Sequence, residues 1–437
     1  DWEKAPVQVD GSVLFRQQFG KYGLLKVFGT FNINKSMLNY SETGNPESAS
    51  PIAMQNRNYY LNAVYNDVLS KKWKYKSGFA ATYDHTGTGI DSDKLDETVH
   101  AYHQRLTFTH DYNENISVKM GEEGSWYTFD QGYQLAGTEQ NYAWNIRIGD
   151  YAVYAEPEVR LHKRFVFRTG LRSEYVSMLH EWSLMPRLSF AYKLGDYSQF
   201  SLAYGLFRQR PENGFLIWNN DLHSEKATHL ILNYQYEIEN RIFRVELYKK
   251  WYNSLVKYAS ENNPDPATYN NTGDGSAQGI DLFWRDSKTI RDLDYWVSYS
   301  FIQTKRNYKN YQKPLVPSFI SPHSVSVVMK YFFRRANTYT GFTYMYASPK
   351  TWYNPALAAT KGDPTRAFND LSMNILVIRP FLKSYCGILF NVSNVLGFNN
   401  VFGYHYSAEP DEMGSYEQYP ILPQSKRFFI LGVFINL

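Results

Sequence analysis

Ten histidines and a single cysteine are the side chains of this 437-residue chain best suited to nucleophilic or metal chemistry, and their spacing favours neither. His100, His103 and His110 share one segment, but residues three apart on a strand point to opposite faces, so His100 and His103 do not converge on an ion. They read as exposed or inward-facing polar groups. Asp91-Ser92-Asp93-Lys94-Leu95-Asp96-Glu97 has the acidic spacing of a calcium loop, yet Leu95 and Asp96 stand where such a loop needs an oxygen ligand and a glycine. It reads as a solvated acidic loop. Cys386 is alone, which excludes an internal disulfide and a cysteine-held zinc or iron–sulfur site. No G-x-S-x-G elbow, H-E-x-x-H pair or phosphate-cradling glycine loop occurs. No catalytic residue, metal site or cofactor is therefore assigned.

The remaining chemistry lies in polar stretches between apolar segments. Arg208, Arg210, Trp218 and His223 fall in one such stretch, and Trp352 and Tyr353 in another. Guanidinium groups and aromatic rings together could hold an anionic chelate or an oligosaccharide, so these six are the candidate substrate-binding residues. A plainer reading stands beside it, in which the aromatics pack the loops and water solvates the arginines.

The elements that position these groups are strands. Aromatic residues make up 17% of the chain, with 38 tyrosines, while the mean hydropathy is only −0.50. Tyrosine joins an apolar ring to a wet hydroxyl, which suits the boundary between lipid and water. The longest strongly apolar stretch, 428–435, falls far short of the roughly 20 residues a membrane-crossing helix needs. A barrel, by contrast, crosses on segments of about ten residues with every second side chain in lipid. A net charge of +4 is too small to argue for nucleic acid. No linker or charge run divides the chain, so residues 1–437 read as one domain. Asp1 follows neither a methionine nor a signal peptide, which reads as a processed chain or a fragment.

Period-two alternation runs throughout. Leu230, Leu232, Tyr234, Tyr236 and Ile238 alternate with His229, Ile231, Asn233, Gln235 and Glu237, and after the turn at Asn240 the pattern resumes with Phe243, Val245 and Leu247. Leu188, Phe190, Leu230, Leu232, Val245, Leu247, Val327 and Leu431 are expected to face lipid. Arg187, Ser189, Asn233, Gln235, Arg244 and Glu246 are expected to face the lumen. Short turns near 113–115, 162–164, 195–198 and 240 alternate with long polar loops near 41–54, 130–141, 211–226, 259–277, 306–322, 350–367 and 397–424. Two loop regimes on opposite ends are the arrangement of outer-membrane barrels. Counting segments gives about nineteen strands. The last carries Phe429, Leu431, Val433, Ile435 and Leu437 on one face, although a terminal aromatic is usual where Leu437 stands.

Motifs follow in a consistent order. Tyr151-Ala152-Val153-Tyr154-Ala155-Glu156 precedes Gly170-Leu171-Arg172, then Met185-Pro186-Arg187-Leu188, then Tyr204 to Pro211, then Leu222-His223-Ser224-Glu225. Asn271-Thr272-Gly273-Asp274-Gly275, ending in Gly279-Ile280-Asp281, reads as a glycine-rich loop entering a strand. Tyr344 to Pro349, Tyr353-Asn354-Pro355 and Phe390 to Leu396 close the series. From about residue 150 to the end, this order resembles the barrel of TonB-dependent outer-membrane receptors, particularly those of the Bacteroidetes type. The resemblance implies an all-β, transmembrane antiparallel barrel in the bacterial outer membrane, with about nineteen of a probable 22 strands present.

It further implies a receptor taking up a scarce nutrient such as a metal chelate, vitamin or oligosaccharide. The implied partners are outer-membrane lipid, the nutrient ligand, a surface lipoprotein, and the TonB energy-coupling complex acting through a plug that this chain lacks. By this reading the plug and first strands are missing. The edge of 7–18 then needs a partner strand, and the chain alone is not expected to close or to transport actively. Two alternatives remain: a passive or structural barrel, porin-like or part of a secretion complex, and an outer-membrane enzyme, which the lack of a nucleophile–base pairing disfavours.

Overall fold

The computed structural model describes residues 2–40, 50–138, 141–259, 265–354, 362–381, 384–407, 410–423 and 425–435. It is almost wholly strand, with one four-residue helix at Asn213–Leu216. No helix among the described residues is long and apolar enough to cross a membrane. The first strands are long: β1 (Trp2–Phe19), β2 (Gly23–Tyr40), β3 (Ser50–Val68), β4 (Trp73–Ile90), β5 (Asp93–Asp111), β6 (Ile116–Gln134) and β7 (Asn141–His162). Next come β8 (Phe165–Val176), β9 (Glu181–Lys193), β10 (Ser198–Gln209), β11 (Glu225–Ile238), β12 (Arg241–Lys257), β13 (Asn270–Asp286), β14 (Leu293–Asn307), β15 (His323–Phe333) and β16 (Thr338–Ala347). After the short β17 (Thr351–Trp352) and β18 (Asp363–Pro364) follow β19 (Phe368–Phe381), β20 (Ser384–Ser393), β21 (Gly403–Tyr406), β22 (Gln418–Ile421) and β23 (Phe428–Ile435). Nineteen of these form one antiparallel sheet, in agreement with the expected strand number, and the other four make two small ribbons.

By internal contacts the chain comprises two compact units. One holds Asp1–Leu188, Gly205–Lys226 and Asp265–Asn271, and the other Ser189–Tyr204, Ala227–Pro264 and Thr272–Leu437. In the first, β1 to β8 pair consecutively and antiparallel, so cross-strand partners fall into rows on each face. One row on the apolar face reads Val13, Gly29, Leu61, Ala81 and Tyr102, and the next Phe15, Val27, Ala63, Phe79 and Gln104. The opposite face carries Asp10, Asn32, Asn58 and Asp84 in register.

Two aromatic belts bracket the apolar rows. Phe19, Tyr65, Tyr75, Phe108 and Trp73 form a chain of rings 5.2–6.4 Å apart at the short-turn end. Towards the long-loop end Tyr59, Tyr83 and His100 stand 5.9 and 5.0 Å apart, followed by Trp126 against Tyr151 at 5.5 Å and Tyr175 against Trp182 at 5.1 Å. A strand of 22 residues such as β7 runs about 70 Å, more than twice the hydrocarbon thickness, so part of each long strand stands clear of the membrane.

In the second unit β13, β14, β15, β16, β19, β20 and β23 also pair consecutively. Tyr295, Met329, Phe342, Met373, Val392 and Phe429 form one row, whereas Asp281, Ser300 and Ser324 lie together on the other face. Leu188, Leu230, Leu232, Leu247 and Leu431 are exposed apolar side chains, and Phe190, Val245 and Val327 are half-buried.

Two readings of the sequence need correction. The acidic stretch 91–97 is not a loop: β4 ends at Ile90, a two-residue turn with Asp91 at φ 53° follows, and Asp93 already opens β5. Asp93 accepts hydrogen bonds from the Tyr133 hydroxyl and the Ala136 amide, both 2.7 Å, which holds this end in the sheet. Gly273, Gly275 and Gly279 are likewise strand residues of β13 with no positive φ. They are glycines because backbone crowds them: a Cβ on Gly273 would lie 2.6 Å from the Leu255 carbonyl oxygen, and one on Gly279 would strike Phe301 O and the Tyr248 hydroxyl. Leu437 and Pro355 lie outside the described residues.

Gly121 is the same device in β6, where a Cβ would meet the Leu106 carbonyl and sit 2.6 Å from the Tyr154 hydroxyl, while at Gly132 nothing comes within 4 Å. Gly121→Ala should therefore destabilise the folded chain by roughly 1–3 kcal/mol, and Gly132→Ala should be neutral or slightly stabilising. Urea unfolding midpoints of the two variants in lipid vesicles check the contrast.

Candidate functional site

The amphipathic phase of β6 and β7 reverses part-way along their length, and the site is built on that reversal. Below it, Tyr151, Val153 and Val159 of β7 lie on the apolar face, opposite the acidic Glu156 and Glu158. Above it, the inward face becomes apolar with Tyr142, Trp144, Ile146 and Ile148, while Asn145 and Arg147 turn outward. In β6 the switch comes beside Trp126, after which Tyr127, Phe129 and Tyr133 point inward. No register shift accompanies it, so the change is one of sequence and not of backbone. Apolar residues pointing inward above the membrane need something to cover them, and Phe129, Ile146 and Ile148 are indeed buried.

The cover is the segment between β10 and β11. Its Leu216 and Leu222 are buried to 3% and 2% exposure. Asn213, at the start of the short helix, donates to the Tyr127 hydroxyl at 2.7 Å, and Trp218 packs edge-on against Trp144 at 6.0 Å. Asn219 donates to the Tyr269 carbonyl at 3.2 Å, and the His223 amide donates to the Asn271 side chain at 2.7 Å. Glu181 closes the far end, accepting from the Ser224 amide at 2.9 Å and pairing with Arg208. Arg210 lies 4.7 Å over the Tyr127 ring and 3.9 Å from Asp150.

Both arginines of the candidate set are thus engaged by carboxylates, and they hold the segment instead of standing open to an anion. Trp218 and His223 fare differently: Trp218 is half-buried at the end of a ladder running Tyr133, Tyr142, Trp144, Trp218 with centroids 6.4, 6.1 and 6.0 Å apart, and His223 is exposed. The four residues of this stretch are brought together in the first unit. Trp352 and Tyr353 belong to the second. There Trp352 pairs with Asp363 in the β17–β18 ribbon, and its ring occupies the space over Gly403, while Tyr353 packs on Tyr311 at 5.5 Å. Burial pushes the Tyr353 phenol above its ordinary value; burial and then the Asp363 carboxylate do the same to Tyr406, whose hydroxyl donates to Asp363 at 2.9 Å. Both phenols remain donors at neutral pH.

Residues 7–395 match the family described as TonB dependent receptor-like, beta-barrel. The chain belongs to that family. Solved structures share its fold at low identity. The outer membrane transporter YddB from Escherichia coli is 14% identical with a TM-score of 0.72, over 98% of this chain and 68% of that one. The ferric citrate transporter FecA is 12% identical with a TM-score of 0.75, over 98% and 70%. The copper transporter OprC is 13% identical with a TM-score of 0.73, over 98% and 71%. No curated protein matches by sequence.

As a TonB-dependent receptor barrel of the bacterial outer membrane, the chain has its polar face as lumen wall and its long-loop end outermost. The inward ladder Tyr133, Tyr142 and Trp144, with the two holding groups Glu181 and Tyr127, is what sequence reading missed. The signal was present, since Tyr142, Trp144, Ile146 and Ile148 alternate in the wrong phase for the Tyr151–Val153 face of the same strand. Glu181→Ala removes the partner of both Arg208 and the Ser224 amide. It should raise hydrogen-exchange rates of amides 213–224 at least tenfold, with β6 and β7 unchanged, as read by mass spectrometry.

Proposed function

We propose that this receptor barrel takes up a scarce nutrient by active, TonB-coupled transport, and that the inward segment between β10 and β11 with its aromatic ladder makes the first contact with the ligand. The observation that carries the reading is the ladder itself: four rings on the lumen side of the outer end, beside an exposed histidine, in a family of outer-membrane receptors. Structural neighbours include transporters named for ferric citrate and copper and a receptor for ferric yersiniabactin. The nutrient here is a metal chelate, vitamin or oligosaccharide. Because Arg208 and Arg210 are already paired with carboxylates, the ligand we favour presents flat or ring faces for stacking instead of a bare anionic group. Trp218 and His223, joined by Tyr142 and Trp144, are the proposed contacts. Arg208 and Arg210 position the segment, and Trp352 and Tyr353 offer a further aromatic contact in the second unit. The partners are the ligand, the TonB complex acting through a plug, outer-membrane lipid and a surface lipoprotein.

Uptake of labelled ferric citrate, ferric catecholate, cobalamin and maltodextrin by cells with and without the gene tests the reading. One of them should require the gene and stop when a protonophore collapses the energy supply, and the double variant Trp144→Ala/Trp218→Ala should raise its half-saturating concentration at least tenfold. Uptake that continues unchanged with the protonophore, limited by solute size alone, would instead identify a passive pore.

A further inference from the structure

Between the two aromatic belts of the first unit, one carboxylate is turned to the lipid side. Glu122 shares its face of β6 with Met120 and Trp126, opposite Leu106 on β5 and Val153 on β7. Its chain neighbour Glu123 points the other way, where Arg105 at 3.0 Å and Arg172 hold it. Glu122 is exposed, and among the described residues no hydrogen bond or ion pair engages it. A carboxylate facing hydrocarbon is unfavourable unless something meets it. Gln104 is its diagonal neighbour on β5, exposed on the same face and equally without a hydrogen bond among the described residues. The Gln104 side chain reaches across Gly124, where its Cγ and Nε2 would lie 3.4 Å from an added Cβ.

The two polar groups stand at one depth. The strands tilt, so a level line steps across the register: the outer belt passes from His100 on β5 to Trp126 on β6, although His100 itself pairs with Thr128. Gln104 is four residues inward of His100 and Glu122 four residues inward of Trp126. Each is therefore about 13 Å along its strand from the belt, well inside the hydrocarbon. As diagonal neighbours they lie roughly 7–8 Å apart, side by side.

We propose that this patch of β5 and β6 is the contact between two copies of the chain in the membrane, with the Gln104 amide of each copy donating to the Glu122 carboxylate of the other. The patch is self-complementary. A two-fold axis along the membrane normal is the relation that leaves both copies with the same end outermost, and it exchanges left and right without changing depth. With donor and acceptor side by side at one depth, an axis passing between them sets each amide against the carboxylate it faces. Two charge-assisted hydrogen bonds then form where no water competes. The other diagonal of the same four residues runs from Gly124 to Leu106, so these two lie on the axis above and below the polar pair. A glycine at that place adds no side chain of its own between the walls. Hydrocarbon satisfies neither polar group, and a partner bringing a cation would meet Glu122 and leave Gln104 unanswered; a second copy answers both.

The test uses the intact protein purified from outer membranes and returned to phospholipid vesicles, with energy transfer between donor- and acceptor-labelled copies followed as lipid is added. The native protein should dimerise, and E122L/Q104L should raise the dimer dissociation constant at least tenfold. The exchange E122Q/Q104E keeps the patch self-complementary and should return the constant to within threefold of the native value. Gln17→Leu, a change of the same class on the same face of β1, should leave it within twofold. In a Cys386→Ser background, Leu106→Cys should cross-link to itself on oxidation and Leu61→Cys should not. Heat-modifiable gel mobility verifies folding, and if the double variant fails it, the two cysteine variants decide. A native protein that stays monomeric overturns the proposal, as does a dimer that E122L/Q104L leaves intact. So does a Leu106→Cys variant that fails to cross-link to its own kind, or that captures a different protein instead.

Discussion

Inside hydrocarbon a backbone amide or carbonyl has no water to turn to, and every other feature of this chain follows from that constraint. Antiparallel pairing along strands of 18 to 22 residues satisfies both groups of each residue and leaves the side chains to alternate between two solvents. The alternation then sorts composition by height. Tyrosine and tryptophan collect where lipid meets water, aliphatic residues lie between the belts, and most charged side chains are turned to the lumen. There they neutralise one another in chains, as where Arg172 bridges Glu123 at 2.5 Å and Glu174 at 2.6 Å while Arg105 reaches Glu123 at 3.0 Å. Some strand glycines mark places where a neighbour's carbonyl or a tyrosine hydroxyl takes the space a Cβ would fill, as at Gly121 and Gly273.

The same logic explains where the proposed contact surface sits. Strands longer than the membrane is thick carry their outer ends into water, and there the apolar side chains have no lipid to face. In β6 and β7 they turn inward and gather the β10–β11 segment over Phe129, Ile146 and Ile148. The resulting miniature core is supported by the sheet yet placed in the mouth of the lumen. A rigid wall thus holds the connecting segment in a fixed pose, the arrangement that would let the proposed contact surface be specific without being costly to order.

Much of this was legible in the residues alone. Leu230 to Ile238 against His229 to Glu237 gives strand and faces directly, and the two loop regimes give the ends. The glycines of β13 were misplaced because a crowded strand glycine and a left-handed loop glycine look the same in one sequence. The pairing of Arg208 and Arg210 is silent in the sequence because their partners Glu181 and Asp150 lie 27 and 60 residues away, and nothing local announces such a pair. The Asn213–Tyr127 bond spans 86 residues and is equally silent. The phase reversal at Gly149 was visible, and reading it as a change of solvent would have located the loop core.

The central claim is that the wall alternates between lipid and lumen residue by residue until it clears the membrane. Nitroxide labels at Leu61, Asn62, Leu232 and Asn233 of the intact protein in bilayers, read by accessibility to oxygen and to a water-soluble nickel chelate, test it directly. The account predicts that Leu61 and Leu232 favour oxygen and that Asn62 and Asn233 favour nickel. Equal accessibility of neighbours, or the reverse order, would contradict it.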